Sequence, residues 1–205
     1  QDLSKQELIK RLTRDEIGEL TDALNGLLGR IREYQSELVR LANTDGLTGI
    51  LNRRTFFARG ETLLNKYDQG LYFIQIDLDH FKKVNDGYGH GIGDQVLELV
   101  GRLLQGSIRT VGEREPDIVG RLGGEEFGIL LLTSSLEETH SVAERLRLTL
   151  EKAEVDTGAK PLRVTASFGV AEMVAGEKLD DLYHRADVAC YEAKHAGRNR
   201  VVVAG

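Results

Sequence analysis

The spacing of apolar residues divides the chain into two parts. Before residue 43, apolar side chains recur at alternating intervals of three and four residues. This is the a/d pattern of a heptad repeat, and it predicts one long helix with a narrow apolar stripe. Because a single helix cannot bury such a stripe, we expect a second copy of the chain to cover it and form a homodimer. The stripe consists of Ile17, Leu20, Leu24, Leu27, Ile31, Tyr34, Leu38 and Leu41.

After residue 44, short apolar runs alternate with amphipathic segments. They predict helices over 54–67, 91–108, 136–153 and 178–197, and strands over 71–77, 117–123, 126–132, 162–173 and 200–205. The order contains strand, helix, strand, strand, helix, strand. Two crossovers on one antiparallel hairpin give an α+β fold, a ferredoxin-like βαββαβ sheet, which we expect to carry its helices on one face. The predicted organisation is a polar segment 1–13, a helical stalk 14–43 and a domain 44–205.

Composition limits the partners of this domain. The 205 residues carry a formal net charge of −6, which argues against a nucleic acid polymer as partner, so that any phosphate binding must be local. The single cysteine, Cys190, lies in an apolar periodic stretch, which predicts a core thiol and a reducing compartment. No apolar run approaches the roughly 20 residues that span a bilayer. Because the chain starts at Gln1 rather than Met, we expect it to be a piece of a longer protein.

An acidic turn is the strongest chemical feature. The stretch "RLGGEEFG" places two glycines and two adjacent carboxylates between two predicted strands. In the predicted sheet, Asp77 at the end of its strand approaches Glu125 and Glu126. Three carboxylates in one small space require a cation, and oxygen ligands favour Mg²⁺ or Mn²⁺. Gly123 and Gly124 then let the backbone approach a bulky anion such as a triphosphate. An ordinary turn with solvated acids is the alternative for these residues.

Five stretches together resemble one known family, the GGDEF diguanylate cyclases. They are "DGLTGILNRR", "IDLDHFKKVNDGYGHGIGD", "RLGGEEF", "TASFGVA" and "ADVACYEAKHAGRNR", in that order from Asp45 to Arg200. Glu125 stands where the family name has Asp. Near the N-terminus, "RDEIGELTDALNGLL" resembles the second helix of a HAMP signalling module, and a plain helical stalk is the alternative.

The resemblance implies a function, the condensation of two GTP molecules into cyclic di-GMP with release of two pyrophosphates across a dimer of domains. It also implies two Mg²⁺ ions for each half-site. Glu125, Glu126 and Lys82 would be catalytic, with Glu125 or a metal-bound hydroxide as general base. The implied metal ligands are Asp77, the Leu78 carbonyl, Glu125 and Glu126. The implied substrate-binding residues are His80, Phe81, Lys82, Asn85, Asp94, Gly123, Gly124, Lys194 and Arg198.

Within that set, Asn85 and Asp94 would read guanine, since a carboxylate accepts hydrogen bonds from two adjacent guanine donors. A charge that complements the helix dipole is the alternative for Asp94. Lys194 and Arg198 would hold the triphosphate tail. Arg114 and Asp117 form an RxxD pattern like the family's product-inhibition site, which Arg145 from a partner subunit would complete.

Two other functions stay open at the sequence level. One is a catalytically silent module that binds GTP or cyclic di-GMP, and the other is an enzyme that makes mixed cyclic GMP–AMP. For the complete protein, the resemblance implies a receptor on the cytoplasmic side of the bacterial inner membrane, attached only through an N-terminal region that this chain lacks.

Overall fold

A computed structural model describes residues 16–108, 117–158 and 160–205. Its order of elements is α1 (Glu16–Asn43), β1 (Leu51–Asn52), α2 (Arg53–Leu64), β2 (Leu71–Leu78), α3 (Phe81–Tyr88), α4 (His90–Ser107), β3 (Ile118–Arg121), β4 (Glu126–Leu132), α5 (Leu136–Lys152), β5 (Ala166–Glu172), α6 (Leu179–His195) and β6 (Val201–Val203). Residues 43–205 form one compact unit, and α1 up to Ala42 belongs to another.

The six strands form one sheet in the order β1-β3-β4-β2-β5-β6. β2 lies at its centre and pairs antiparallel with β4 on one side and with β5 on the other. The inner four strands have the order of a ferredoxin-like sheet, as the sequence predicts. β1 and β6 extend this sheet at its edges, each parallel to its neighbour. The two-residue β1 is absent from the sequence prediction, because so short a segment has no periodicity.

Helices cover both faces of the sheet, so the prediction of a single covered face is wrong. Since neighbouring residues of a strand point to opposite faces, β2 contributes to two separate cores. Ile74 and Ile76 pack with α4 and α5 in one core, whereas Leu71 and Phe73 pack with α2 and α6 in the other. This double coverage explains why every residue of β2 is buried.

Capping residues set the start of two helices. The side chain of Asn52 accepts a hydrogen bond from the Thr55 amide at the start of α2, and that of Ser135 accepts one from Glu138 at the start of α5. At the end of α6, the sharp turn places Gly197 at a positive φ of 117°. Arg198 N donates to Ala193 O across this turn, which is the Schellman arrangement.

Cys190 of α6 is a core thiol, as the sequence predicts. It is buried, its Sγ donates to Ser167 O, and burial raises its pKa to about 12. Its reactivity as a thiolate is therefore suppressed at neutral pH.

The α1 helix carries the predicted apolar stripe on its surface. From Leu20 to Leu41, seven stripe residues are exposed, and Leu20 and Tyr34 are exposed by 70% and 71%. No helix in the described part of the chain is long and apolar enough to cross a membrane.

Candidate active site at the centre of the sheet

Strand register brings three acids to the same end of the sheet. Asp77, near the end of β2, lies directly opposite Glu126 of β4, and Leu78 N donates to Glu125 O across the same ladder at 3.2 Å. Asp77 is 6% exposed, and the two glutamates are half-buried. The structure therefore places Asp77 beside Glu125 and Glu126, where the predicted fold requires them.

The turn between β3 and β4 is held by Arg121. Its Nε donates to Gly123 O at 3.1 Å and its Nη2 to Gly124 O at 2.7 Å, while Nη1 pairs with Asp45 Oδ1 at 3.1 Å. A Cβ at Gly123 would lie 2.3 Å from Glu126 Oε2, whereas one at Gly124 would meet open space. Glycine at 123 therefore leaves room for the Glu126 carboxylate. A direct role of either glycine in substrate binding stays a prediction.

Burial and mutual repulsion disfavour the charged forms of these acids. Burial raises the pKa of Asp77, although its ion pair with Lys194 opposes the shift. Burial, followed by the charge of Asp77, also raises the pKa of Glu125 and Glu126. Such a cluster gains from any cation placed beside it.

Lys194 supplies one such charge. Its Nζ lies 2.6 Å from Asp77 Oδ2. Burial lowers the pKa of Lys194, and the bond to Asp77 more than offsets this, so the net pKa is above its usual value. Lys194 thus lies among the acids rather than on a separate surface, and its predicted contact with a triphosphate is untested.

The acids also fit a divalent cation. Asp77 Oδ1 is buried without a hydrogen-bond partner, which leaves a carboxylate oxygen available as a ligand. Over residues 16–108, 117–158 and 160–205, no three acidic, histidine or cysteine side chains are already gathered as a complete metal site. The donor chemistry therefore suits Mg²⁺, while the ligand set stays a prediction.

The predicted guanine readers lie on the two helices after β2. A Cβ at Gly93 would lie 1.9 Å from Asn85 Oδ1, so the glycine in α4 makes room for this half-buried side chain of α3. Asp94 is exposed and follows the first turn of α4, which contains no acidic residue. Asp94 therefore lies beyond the turn in which a negative charge complements the helix dipole, and the structure does not support this alternative role.

Three predicted phosphate-binding residues lie where α3 begins. His80 precedes the helix at a positive φ of 58°, Phe81 is its buried first residue, and Lys82 is exposed. Arg198, predicted to hold the triphosphate tail, is exposed after α6, also at a positive φ.

The structure describes Asp117 and Arg145, two of the residues predicted to form the product-inhibition site. Asp117 and Arg145 line one cavity of about 180 Å³, and Asp117 itself is buried. Arg114 lies outside the described residues. This cavity lies within one chain, whereas the prediction takes Arg145 from a partner subunit, so the inhibition site and its ligand stay predictions.

Sequence reasoning missed several residues that organise this region: Asp45, Asp79, Gly93, Arg121 and Asn199. The motifs "DGLTG", "DLD" and "GRNR" contain three of them, and the remaining two flank predicted site residues. The partners of Asp79 and Asn199, and the pairing of Asp45 with Arg121, join distant parts of the chain, and no local pattern reveals them.

Comparison with known proteins decides the family. A family model for the diguanylate cyclase GGDEF domain matches residues 42–200. The chain belongs to the GGDEF family. It is 37% identical over 207 residues to diguanylate cyclase VdcA of Vibrio cholerae, a match that covers 95% of this chain and 59% of that protein. The chain thus spans less than two thirds of the length of this curated relative.

Solved GGDEF structures agree with the fold. The coiled coil and GGDEF domain of DgcB from Caulobacter crescentus, in complex with c-di-GMP, superposes with a TM-score of 0.79 at 29% identity, covering 91% of this chain and 97% of that one. The active GGEEF domain of a diguanylate cyclase from Vibrio cholerae gives a TM-score of 0.67 at 32% identity, covering 75% and 97%. The second of these GGDEF-family domains carries Glu in the signature, as this chain does.

Proposed function

We propose that this chain condenses two GTP molecules into cyclic di-GMP and two pyrophosphates. The observation that carries the proposal is the convergence of Asp77, Glu125 and Glu126 at one end of the central strands, with an unsatisfied oxygen on Asp77. Family membership supports the same reaction. GGDEF diguanylate cyclases generally depend on Mg²⁺.

The acids would hold the metal. Asp77, the Leu78 carbonyl, Glu125 and Glu126 are the proposed ligands of two Mg²⁺ ions, with Mn²⁺ as an alternative. Bound there, such ions neutralise charge on the phosphoryl oxygens and acidify the attacking hydroxyl. Lys194 is paired with Asp77, and it would be available to the triphosphate if Asp77 held a metal ion instead.

The remaining residues would orient GTP. Asn85 and Asp94 read the guanine edge, and the amides of His80 and Phe81, with Lys82, bind phosphate at the start of α3. Lys194 and Arg198 bind the triphosphate tail of GTP. Glu125 takes the proton of the 3′-OH as this oxygen bonds to the α-phosphorus of the second GTP and pyrophosphate leaves.

Each domain holds one GTP, so two copies must face each other. The exposed stripe on α1 provides the surface for a homodimer, since its apolar residues match the heptad positions of a coiled coil. Holding two reacting groups in one geometry can supply about 7–11 kcal/mol of the barrier reduction. The stalk would therefore control activity by setting the distance between half-sites.

Product inhibition is a second proposed property. Arg145 and Asp117 line one cavity. An arginine can bind a guanine edge or a phosphate, whereas an aspartate can accept a hydrogen bond from guanine N1–H. Cyclic di-GMP is the proposed ligand, with Arg114 completing the RxxD pattern.

Chromatography of the products tests the central proposal. The chain is incubated with Mg²⁺ and an equal mixture of GTP and ATP, beside a Glu125→Gln variant. We expect cyclic di-GMP from the wild-type chain and a loss of about 100-fold or more in the variant, since the substitution removes both a ligand and the base. A melting temperature no lower than that of the wild-type chain would show that the fold is intact.

The other outcomes of this experiment are equally distinct. Nucleotide binding without any product would identify a silent module, and cyclic GMP–AMP would identify the mixed-product enzyme. Full turnover by Glu125→Gln would contradict the assignment of the acids.

A further inference from the structure

The loop after α6 has an unusual backbone. Arg198 and Asn199 are consecutive residues with left-handed φ values of 66° and 45°. Residues other than glycine rarely adopt this backbone conformation, and two such residues in succession must be held in place by their surroundings. Such strain tends to occur where a protein fixes a functional group.

Asn199 is fixed at three points. Its backbone N–H donates to Asp79 Oδ2 at 3.0 Å. Its side-chain Oδ1 accepts from Arg147 Nη1 at 2.8 Å, and its Nδ2 donates to Glu151 Oε1 at 2.9 Å. The loop is thereby tied to the end of β2 through Asp79 and to α5 through two charged side chains.

These anchors are themselves rigid. Asp79 is 6% exposed and also accepts hydrogen bonds from Thr165 Oγ1 and Ser167 Oγ, both at 2.7 Å. Arg147 is bound by two glutamates of its own helix, Glu144 at 2.9 Å and Glu151 at 3.2 Å. A network of charge-assisted bonds therefore determines the conformation of the loop.

We propose that Asn199 is a positioning residue that presents the adjacent Arg198 to the triphosphate of GTP. This inference rests on the proposed function, in which Arg198 holds that tail. With the Arg198 backbone already held in its left-handed conformation, less conformational entropy is lost when the guanidinium binds phosphate. Asp79, two residues after the proposed ligand Asp77, couples this loop to the acid site.

The polarity of the network makes the proposal testable. The carbonyl oxygen of Asn199 faces the guanidinium of Arg147, and its amide nitrogen faces the carboxylate of Glu151. Asn199→Asp keeps the size of the side chain but places a carboxylate oxygen against Glu151. Adding Glu151→Gln places a hydrogen-bond donor opposite the new carboxylate. The double variant should therefore recover the wild-type affinity for the triphosphate.

The experiment compares two probes by calorimetry with Mg²⁺ present. One is the α,β-methylene analogue of GTP, which cannot be cyclised, and the other is GMP, which lacks the β- and γ-phosphates. We expect Asn199→Asp to weaken binding of the triphosphate analogue about tenfold, as for a lost charge-assisted bond. GMP binding should stay within twofold of wild type, and Glu151→Gln should rescue the analogue.

Two further variants separate positioning from folding. Glu154→Gln removes the charge of an ion pair with Arg163 that lies outside this network, and it should bind both probes as wild type does. Asn199→Gly accepts the left-handed backbone but lacks the side-chain bonds, and it should resemble Asn199→Asp. In turnover, both Asn199 variants should raise KM for GTP about tenfold with kcat little changed.

Equal losses for both probes, or no loss for the triphosphate analogue, would overturn the proposal, as would a failure of Glu151→Gln to rescue. These outcomes are distinct from a failure of the proposed function. A wild-type chain that binds the analogue but makes no cyclic di-GMP would contradict the function alone. A chain that makes the product while Asn199→Asp binds normally would contradict the positioning role alone.

Discussion

At the scale of single residues, the acid cluster lowers the stability of the folded protein at neutral pH. Asp77, Glu125 and Glu126 all have pKa values above their usual range because burial and mutual repulsion disfavour ionisation. A raised pKa in the folded state means that the native protein binds more protons than the unfolded chain. Stability therefore falls as the pH rises through the ordinary glutamate pKa toward the raised one.

Glu126→Gln should accordingly stabilise the metal-free protein at neutral pH. The substitution removes a carboxylate whose ionised form is disfavoured, and the gain should be roughly 1 kcal/mol at most, since solvent screens a half-buried group. Urea unfolding with a chelator at pH 7.5 and at pH 4 measures the effect. The gain should shrink toward pH 4, where wild-type Glu126 is itself protonated.

Glu37→Gln is the matched control for this measurement. Its hydrogen bond with Arg40 lowers the pKa of Glu37, so loss of its charge should not stabilise the protein at neutral pH. Equal stabilisation by both substitutions, or a gain by Glu126→Gln that is larger at pH 4, would contradict the account of the acid cluster.

Residue types and motifs identify the three acids, but they do not identify the side chains that contact the site residues. Asp77, Glu125 and Glu126 follow from the sequence because strand order alone places them together. The ion pair between Asp77 and Lys194 does not, since it depends on where α6 crosses the sheet. Asn199 is equally invisible, because its partners lie 48 to 120 positions away along the chain.

At the scale of elements, the close approach of α6 to β5 controls the geometry of the site. A Cβ at Gly169 would lie 2.0 Å from Ala186 O and 2.3 Å from Cys190 N, both backbone atoms of the helix. The same helix carries Lys194 and leads into the Asn199 loop. Its distance from the sheet therefore determines where both groups lie.

Gly169→Ala should destabilise the domain by about 3 kcal/mol, since backbone atoms cannot move aside as a flexible side chain can. Chemical denaturation measures the loss. Gly106→Ala in α4, where a Cβ meets nothing within 4 Å, is the control, and it should stabilise by up to about 1 kcal/mol through helix propensity. Similar effects of the two substitutions would contradict the packing described for α6.

The sequence predicts the long helices and strands to within a few residues, because apolar periodicity marks an amphipathic helix and a short apolar run marks a buried strand. Strand β4 is predicted at its observed bounds, Glu126–Leu132. The two-residue β1 and the coverage of both sheet faces are not predicted, since the first depends on pairing with β3 and the second on the direction in which α2 and α6 cross the sheet.

At the scale of the whole molecule, the proposed reaction needs two chains. Leu27 and Ile31 of the α1 stripe are 54% and 42% exposed, a large apolar surface for a helix in water. Ile31→Asp places a charge in this stripe and should weaken association by about 1–3 kcal/mol or more. Ser36→Asp, an exposed f position on the opposite side of the helix from the stripe, is the matched control.

The most direct test measures the rate of cyclic di-GMP formation per chain as total protein concentration is lowered, for wild type, Ile31→Asp and Ser36→Asp. If two facing half-sites perform the reaction, the rate per chain of Ile31→Asp falls in proportion to concentration, and it approaches the wild-type value when the protein is concentrated. Ser36→Asp should follow wild type. A rate per chain of Ile31→Asp that equals wild type at every concentration would contradict catalysis across a dimer.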